Sequence, residues 1–288
     1  MHAIPESGSF HGGIVSDLEA SKVVLNATGS ATPVLTFRNF SLRCDKSDPR
    51  ITFQAPWNWE LLQGKKVAVI TNNTFLQYQL SAALADLVPP VSGEILANGV
   101  ISWPVGGSGG LDGKLRVSHA LNFLSILYGD CLEKSHVSVD EFWELLSGVE
   151  IYPRLLIKEL SKSQKSFFYV ALSVLFSFDC YLITKSSSNA LMSTSAKPLR
   201  ALFRKQIEGK TIIATSTSSR FRREFCTDGL VLGSLGQVLF TGELSEAIEW
   251  ADRNLKASEA SELDDDQFDM GSYFKNSESY DDGADDEF

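Results

Sequence analysis

The chain has 288 residues, of which 43% are hydrophobic, and this suits one globular α/β domain with terminal segments. The net charge of −10 argues against nucleic-acid binding, so no nucleic-acid partner is expected. Four scattered cysteines form no CxxC or Cys/His pattern. They indicate neither a disulfide framework nor a zinc site, so we predict no metal ligands and a reduced, cytoplasmic compartment.

The negative charge is concentrated at the C-terminal end of the sequence. Residues 256–288 hold 12 acidic and 2 basic residues, which accounts for the whole net charge, and the remainder is neutral. Such a segment cannot bury enough apolar surface to fold alone, so we predict an acidic disordered tail over 256–288. Aromatic residues interleaved with the acid leave a docking peptide as an alternative. The basic cluster of Arg220, Arg222 and Arg223 is predicted to be a solvated face, with binding to an acidic partner segment or to the chain's own tail as its alternative.

Strand patterns dominate the first part of the chain. Residues 1–32 are rich in Ser, Gly and small residues and predict a flexible N-terminal extension without a secretory signal. Residues 34–44 and 51–70 then read as strands, and the second stretch ends in KVAVI, a run typical of a strand buried on both faces. A helix is predicted over 79–87, since a Pro-Pro pair follows and cannot continue it.

Helix and strand patterns alternate in the rest of the chain, which implies a mostly parallel sheet. SGEILAN and VISWPV predict short strands, and a glycine loop occupies 106–113. Helices are predicted over 117–128, 138–147 and 158–176. The apolar run at 167–183 is predicted to be a buried helix leading into a buried strand, because it is short for a membrane span. The remaining patterns are strand DCYLIT, helix KPLRALFRKQIEG, strand TIIATSTS, helix SRFRREFC, hairpin GLVLGSLGQVLFTGE and helix LSEAIEWADRNL.

Four stretches resemble the ATP-binding subunits of ABC exporters, and in particular the capsular-polysaccharide export branch. They are PPVSGEI (89–95), ISWPVGGSGGLDGKL (101–115), LSKSQK (160–165) and FSFDCYLIT (176–184). Their order and spacing also match that family. The resemblance implies an α/β fold: a P-loop NTPase-like ABC nucleotide-binding domain over 33–255, with antiparallel edge strands and a helical subdomain at about 116–160.

The resemblance places the phosphate-binding loop on residues 71–78. A P-loop needs glycines that let backbone amides surround the phosphates, a lysine that neutralises their charge and a hydroxyl that holds Mg²⁺. Here Gln77 stands at the lysine position and Tyr78 at the hydroxyl position, and Phe75 and Leu76 would obstruct the cradle. Asn72 and Asn73 are expected to cap the loop. The candidate nucleotide-binding residues of this degenerate loop are Thr71, Asn72, Asn73, Thr74, Gln77 and Tyr78.

The other motifs of the family depart from its pattern in the same way. The acidic pair falls on Thr184 and Lys185, and the switch histidine falls on Thr217. A lysine cannot act as the general base at neutral pH. The signature motif is also degenerate, with candidate residues Ser161, Lys162, Ser163 and Gln164. Further departures place Leu191 at the D-loop aspartate and Asp112 at the glutamine beside the glycine loop.

Because these losses remove separate contributions to phosphoryl transfer, we predict a pseudo-ATPase without catalytic residues. No cofactor is expected, and ATP with magnesium is expected only if the atypical site still binds it. The predicted role is a non-hydrolysing subunit in capsular or extracellular polysaccharide export, cytoplasmic or peripheral at the inner face of the plasma membrane. Its expected partner is a membrane permease, an intact ATPase subunit or a second copy in a dimer. Two alternatives remain: a soluble scaffold or regulator derived from the ABC fold, and an active ATPase that uses Lys65, Lys66 or Lys114.

Overall fold

The computed structural model describes residues 32–215 and 218–255, together with the backbone of 23–24. The predicted tail 256–288, Thr217 and the rest of the predicted N-terminal extension lie outside the described residues. Within the described ranges, no helix is both long and apolar enough to cross a membrane.

A five-stranded sheet forms the centre of the fold, in the order β6-β7-β4-β8-β9. The first four strands in that order are parallel, and β9 pairs antiparallel with β8. The central strands are nearly continuous apolar runs and are buried on both faces, as parallel strands generally are. The strands are β4 (Lys66–Ile70), β6 (Cys180–Ile183), β7 (Thr211–Ala214), β8 (Asp228–Leu232) and β9 (Val238–Glu243).

A second, smaller sheet packs beside the first and has the order β1-β3-β2-β5. Strand β2 pairs antiparallel with β3 and β5, and β1 adds a parallel pairing to β3 at the other edge. Its buried face is strongly aromatic, with ring contacts among Phe37, Phe40, Trp57 and Trp59. The strands are β1 (Val23–Val24), β2 (Pro33–Ser41), β3 (Trp57–Leu62) and β5 (Ser92–Ala97).

Helices cover the central sheet. The alternation of side chains along β4 shows this directly, because Val67 and Val69 pack with the smaller sheet while Ala68 packs with the main helical cluster. Helix α9 lies so close to β8 that a Cβ on Gly229 would come within 2.2 Å of the Ala247 Cβ. The helices that flank the strands are α1 (Thr74–Leu84), α5 (Lys162–Leu175), α6 (Lys185–Met192), α7 (Lys197–Gln206), α8 (Ser219–Phe225) and α9 (Leu244–Asn254).

Three more helices come from the middle of the chain: α2 (Val117–Leu127), α3 (Gly129–Glu133) and α4 (Val139–Ser147). Helix α4 begins with a capping box, in which Ser138 accepts from the Glu141 amide and Glu141 accepts from the Ser138 amide. A short 3₁₀ turn, Ile157–Glu159, then leads to α5. These elements fall within the range predicted for the helical subdomain, whose boundaries stay a prediction.

Two helices begin elsewhere than the sequence patterns indicate. The helix predicted over 79–87 begins at Thr74 and ends at Leu84, because Asn73 caps it and no proline or glycine interrupts 74–78. The helix predicted over 158–176 begins at Lys162, since Ser161 is in an extended conformation and caps it. The helix α6 and the strand β1 were not predicted.

The predicted strand VISWPV is not a regular strand. Ile101 makes one isolated bridge to Cys180. The segment then follows the edge of β6, where the Ser102 amide donates a hydrogen bond to the Cys180 carbonyl and the Val105 amide donates one to the Leu182 carbonyl. Pro104 has no N–H to donate, and the Ser102 side-chain hydroxyl accepts from the Leu182 amide instead of a backbone carbonyl. The ladder therefore stops after a single bridge.

Candidate functional site

The candidate site lies at the carboxyl ends of the parallel strands, where α/β sheets generally bind ligands. Strand β4 ends at Ile70 and continues into the predicted phosphate loop, which connects it to α1. Strands β6 and β7 lie alongside and end at Ile183 and Ala214. The structure therefore brings Thr71, Thr184 and Thr215 to one edge of the sheet, and a neutral residue follows each of these strands.

Asn73 organises the loop through both ends of its side-chain amide. Its Oδ1 accepts a hydrogen bond from the Leu76 amide at 2.9 Å and so caps the N-terminus of α1. Its Nδ2 donates to the carbonyls of Cys44 at 2.7 Å and Ser234 at 2.8 Å. Cys44 lies between β2 and β3, and Ser234 lies in the turn between β8 and β9. One side chain therefore ties three loops together at the N-terminus of α1.

The backbone of the loop differs from an anion-binding nest. A nest needs consecutive amides that converge, which residues of alternating right- and left-handed conformation provide. No residue between 71 and 78 has a positive φ. The segment from Thr74 onward is instead helical, and Leu76, at the position of a family glycine, is fully buried in the core. The space that a phosphate cradle needs is thus filled by the first turn of α1.

Gln77 and Tyr78 both lie on α1, where the family has lysine and a magnesium-binding hydroxyl. The Gln77 side chain turns back to the loop, and its Nε2 lies 3.4 Å from the Thr71 carbonyl oxygen. The Tyr78 side chain is half-buried. Neither side chain supplies the charge or the small hydroxyl of the family pattern.

The sequence patterns did not indicate Ser81 and Thr215, which form a buried contact beneath the loop. Their hydroxyl oxygens lie 2.7 Å apart. The Ser81 hydroxyl also lies 2.9 Å from the Gln77 carbonyl, and the Thr215 hydroxyl lies 3.3 Å from the Ile183 carbonyl. This chain of contacts joins α1 to the ends of β6 and β7. No local signal distinguishes Ser81 from a solvent-facing serine, because its partner lies 134 residues away.

The two positions at which the family carries its acidic pair hold Thr184, at the N-cap of α6, and the cationic Lys185. The Thr184 backbone amide donates to the Ser187 hydroxyl at 2.8 Å, and Thr184 occupies the N-cap position of α6. Lys185 is the first residue of that helix and is exposed. Across residues 32–215 and 218–255, no cluster of three or more His, Cys, Asp or Glu side chains could hold a metal ion.

Two of the lysines considered as replacements for the P-loop lysine lie far from the loop along β4. Lys65 and Lys66 lie at the opposite end of β4 from Thr71, about 16 Å away for five residues of strand. The Lys65 ammonium forms an ion pair with Asp228 at 2.9 Å. Lys114 follows the glycine loop, and its backbone amide donates to Asp112, which closes a local turn.

The signature segment forms the N-terminus of α5. Ser161 Oγ accepts from the Gln164 amide at 3.2 Å, and Gln164 Oε1 accepts from the Ser161 amide at 3.1 Å, which makes a second capping box. The Gln164 Nε2 also donates to the Val149 carbonyl at 3.0 Å. Lys162 and Ser163 are exposed in the first turn. The segment therefore presents a capped, solvent-accessible helix N-terminus.

Comparisons with known proteins identify the family. The chain is 31% identical over 188 residues to the polysialic acid transport ATP-binding protein KpsT of Escherichia coli, and this match spans 65% of the chain and 84% of KpsT. The chain belongs to the family of ATP-binding proteins of polysaccharide exporters. No family model matches the chain.

Further relatives agree with this membership. The chain is 30% identical over 177 residues to the ATP-binding protein BexA of Haemophilus influenzae, with 61% of the chain and 78% of BexA covered. It is 28% identical over 175 residues to the capsule polysaccharide export ATP-binding protein CtrD of Neisseria meningitidis serogroup B, with 61% and 79% covered.

Solved structures confirm the fold of the family. An ATP-binding subunit of an ABC transporter superposes with a TM-score of 0.56 at 14% identity, covering 84% of this chain and 98% of that one. An ABC transporter of the metal-chelate type in an inward-facing conformation gives 0.53 at 15% identity, covering 75% and 85%. The prediction of an ABC nucleotide-binding domain is therefore confirmed. At these identities the likeness concerns the fold alone.

Proposed function

We propose that the chain is a non-hydrolysing ABC subunit of a polysaccharide exporter, which acts by pairing with other subunits. Membership of the family supports the transport role, since its relatives are named for capsule polysaccharide export and polysialic acid transport. The arrangement at the carboxyl edge of the sheet supports the absence of hydrolysis. Such a subunit would work in the cytoplasm, at the inner face of the plasma membrane.

The observation that carries the proposal is the side chain of Asn73. In a working phosphate loop, the amides at the N-terminus of the helix point to the ligand. Here Asn73 Oδ1 accepts a hydrogen bond from the Leu76 amide, and Asn73 Nδ2 donates hydrogen bonds to the carbonyls of Cys44 and Ser234 in the two flanking loops. A phosphate would have to displace this side chain, break three hydrogen bonds and unwind the first turn of α1.

The charges at this edge oppose a magnesium–triphosphate complex as well. The complex needs a cation for the β- and γ-phosphates and carboxylates for the metal and the attacking water. The loop supplies Gln77 and Tyr78, and the strand end supplies Thr184. These residues do not fit the complex. Lys185 is cationic at the position of the general base and cannot accept a proton from water at neutral pH.

The proposed pairing uses the signature surface at the N-terminus of α5. This helix of 14 residues keeps its Ser161 and Gln164 caps, and its exposed first turn adds the positive charge of Lys162. A helix N-terminus with a nearby cation attracts an anion. We therefore expect this surface, rather than the 71–78 loop, to face an intact ATPase subunit and its nucleotide.

Calorimetry with MgATP tests the absence of a nucleotide site. We expect no binding heat and no phosphate release from the full chain, while an intact relative such as KpsT binds under the same conditions. A second sample carries Thr71→Gly, Thr74→Gly, Leu76→Gly, Gln77→Lys and Tyr78→Ser, which together restore the family loop, and Asn73→Gly, which removes the competing cap. Binding by this variant alone would support the proposal. Tight MgATP binding with turnover by the unaltered chain would overturn it.

Co-purification tests the pairing role separately. The chain is co-expressed with the polysaccharide-export permease and the intact ATP-binding subunit of its own source, and each is isolated through a tag on this chain. We expect a complex that weakens when Lys162→Glu reverses the charge of the signature surface. Recovery of the chain alone would contradict the transport role and would leave the absence of hydrolysis standing.

A further inference from the structure

The surface of α8 carries an excess of positive charge. Its seven residues include three arginines and one glutamate. That glutamate, Glu224, forms ion pairs with two arginines of α7: it accepts a hydrogen bond from Arg204, and its carboxylate lies 3.6 Å from the Nε of Arg200. Arg220 and Arg223 are exposed, and in the described part of the chain neither makes an ion pair. The positive face of α8 is therefore not neutralised by the folded body.

Helix α9, which the C-terminal segment follows in the chain, begins beside the end of α8. Helix α9 ends at Asn254, and residues 256–288 continue from there. The Leu244 amide at the start of α9 donates to the carbonyl of Thr227, two residues after α8 ends, at 3.0 Å. Because an α-helix rises about 1.5 Å per residue, the end of α9 lies within about 20 Å of Thr227, and the segment therefore begins within reach of α8.

The length and charge of the segment fit this surface. The run ELDDDQFD, residues 262–269, holds Glu262, Asp269 and the three consecutive aspartates Asp264, Asp265 and Asp266. Eight residues separate Leu255 from Asp264, so the two positions lie at most about 30 Å apart. A tether this short keeps the acidic run at an effective concentration of about millimolar near α8. All of the chain's net negative charge lies in this one segment.

We propose that the acidic run 262–269 docks intramolecularly on the positive face of α8, with Asp264–Asp266 opposite Arg220 and Arg223. Arginine suits this role because its planar guanidinium binds a carboxylate through two parallel hydrogen bonds. The docked run adds negative charge beside the segment that joins β7 to α8. It also covers a cationic surface that would otherwise attract anionic polymers.

Paramagnetic relaxation in the full chain tests the docking. A nitroxide is attached to a cysteine introduced by Ser272→Cys, and the four native cysteines do not compete because all are buried. We expect the label to broaden the amide signals of residues 219–225. At about 1 M salt the screening length falls to about 3 Å, so the broadening should disappear.

Charge reversal supplies the decisive comparison. Arg220→Glu with Arg223→Glu should abolish the broadening, and adding Asp264→Lys, Asp265→Lys and Asp266→Lys should restore it. The matched control is Arg154→Glu with Lys158→Glu, which makes the same change of charge at two exposed residues of the helical region and should leave the broadening unchanged. The proposal fails if α8 signals are unaffected by the label, or if the two double variants behave alike. A mixture of isotope-labelled and spin-labelled chains that reproduces the broadening would assign the contact to a second copy and overturn the intramolecular docking.

Discussion

The hydroxyl of Ser81 on α1 lies 2.7 Å from the hydroxyl of Thr215 beyond the end of β7, and both side chains are buried. Each oxygen also lies near a backbone carbonyl, at Gln77 and at Ile183. Two hydroxyls supply two hydrogens, so at most two of these three contacts are hydrogen bonds at any time. The pair therefore forms one coupled unit that holds α1 against the sheet where the family binds its nucleotide.

Replacing either member of this pair should destabilise the protein. We expect Ser81→Ala or Thr215→Val to lower the free energy of unfolding by about 1–2 kcal/mol, because a buried hydroxyl loses its partner. The double variant should cost less than the sum of the two, since it leaves no orphaned group. Ser125→Ala is the control, because Ser125 bonds only the Leu121 carbonyl within its own helix, and its loss should cost about zero. Urea unfolding measures all four variants, and strict additivity would contradict the coupling.

Asn73 should contribute more to stability than an ordinary helix cap. Asn73→Ala removes the cap of α1 and both bonds to the neighbouring loops, so we expect a loss of about 2–3 kcal/mol. Asn73→Asp keeps the acceptor but places a carboxylate oxygen against the carbonyls of Cys44 and Ser234, so it should also destabilise. Ser138→Ala, which removes only a cap, should cost about 1 kcal/mol. Equal losses for Asn73→Ala and Ser138→Ala in thermal unfolding would show that the cross-loop bonds contribute nothing.

These contacts mark the limit of what the sequence alone could establish. The order of most elements followed from strand and helix patterns, whereas the family and the loop at 71–78 followed from the resemblance of four short stretches. An Asn before a helix is a cap signal, and the S-x-x-Q spacing of Ser161 and Gln164 is a capping-box signal that would have placed the start of α5 correctly. The binding of Asn73 to Ser234 could not be predicted, because 161 residues separate them and no local pattern encodes such a contact.

The misplaced start of α1 has a physical cause as well. The resemblance assigned 71–78 to a loop, whereas Thr74–Tyr78 contains no residue that prevents a helix. Leu76 gains from burial only in the helical conformation, where it reaches the core. In α6, the polar run KSSSN lacks an apolar period, so its helix depends on the Thr184 cap and on packing against α5 and α7.

The buried thiols should make stability fall at alkaline pH. Burial raises the pKa of Cys180 and Cys226 to about 12 and that of Cys44 to about 11, from 9.0. Between pH 9 and 11 the unfolded chain releases these protons while the folded protein keeps them, so the free energy of unfolding should fall as the pH rises. The slope from each thiol increases above pH 9 toward about 1.4 kcal/mol per pH unit, and that from Cys44 decreases again near its folded pKa of about 11. Urea unfolding from pH 7 to 10.5 should show a shallower slope in Cys180→Ala, and an unchanged slope would contradict this.

Glu224 should stabilise the protein more than Glu249 does, because Glu224 pairs with a buried arginine and Glu249 with an exposed one. Its carboxylate faces Arg200, which is buried on α7 and also donates to the Leu191 carbonyl at 3.0 Å. We expect Glu224→Gln to lower the free energy of unfolding by about 1–3 kcal/mol, because it leaves a buried guanidinium without its counter-charge. The same change in Glu249→Gln breaks a solvent-exposed pair with Arg253 and should cost about 0–0.5 kcal/mol. Both variants remove one negative charge, but Glu224 also pairs with the exposed Arg204, whose pair is worth about 0–1 kcal/mol. A difference in urea unfolding larger than this therefore reports the burial of Arg200. No difference would show that Arg200 is solvated well enough to need no partner.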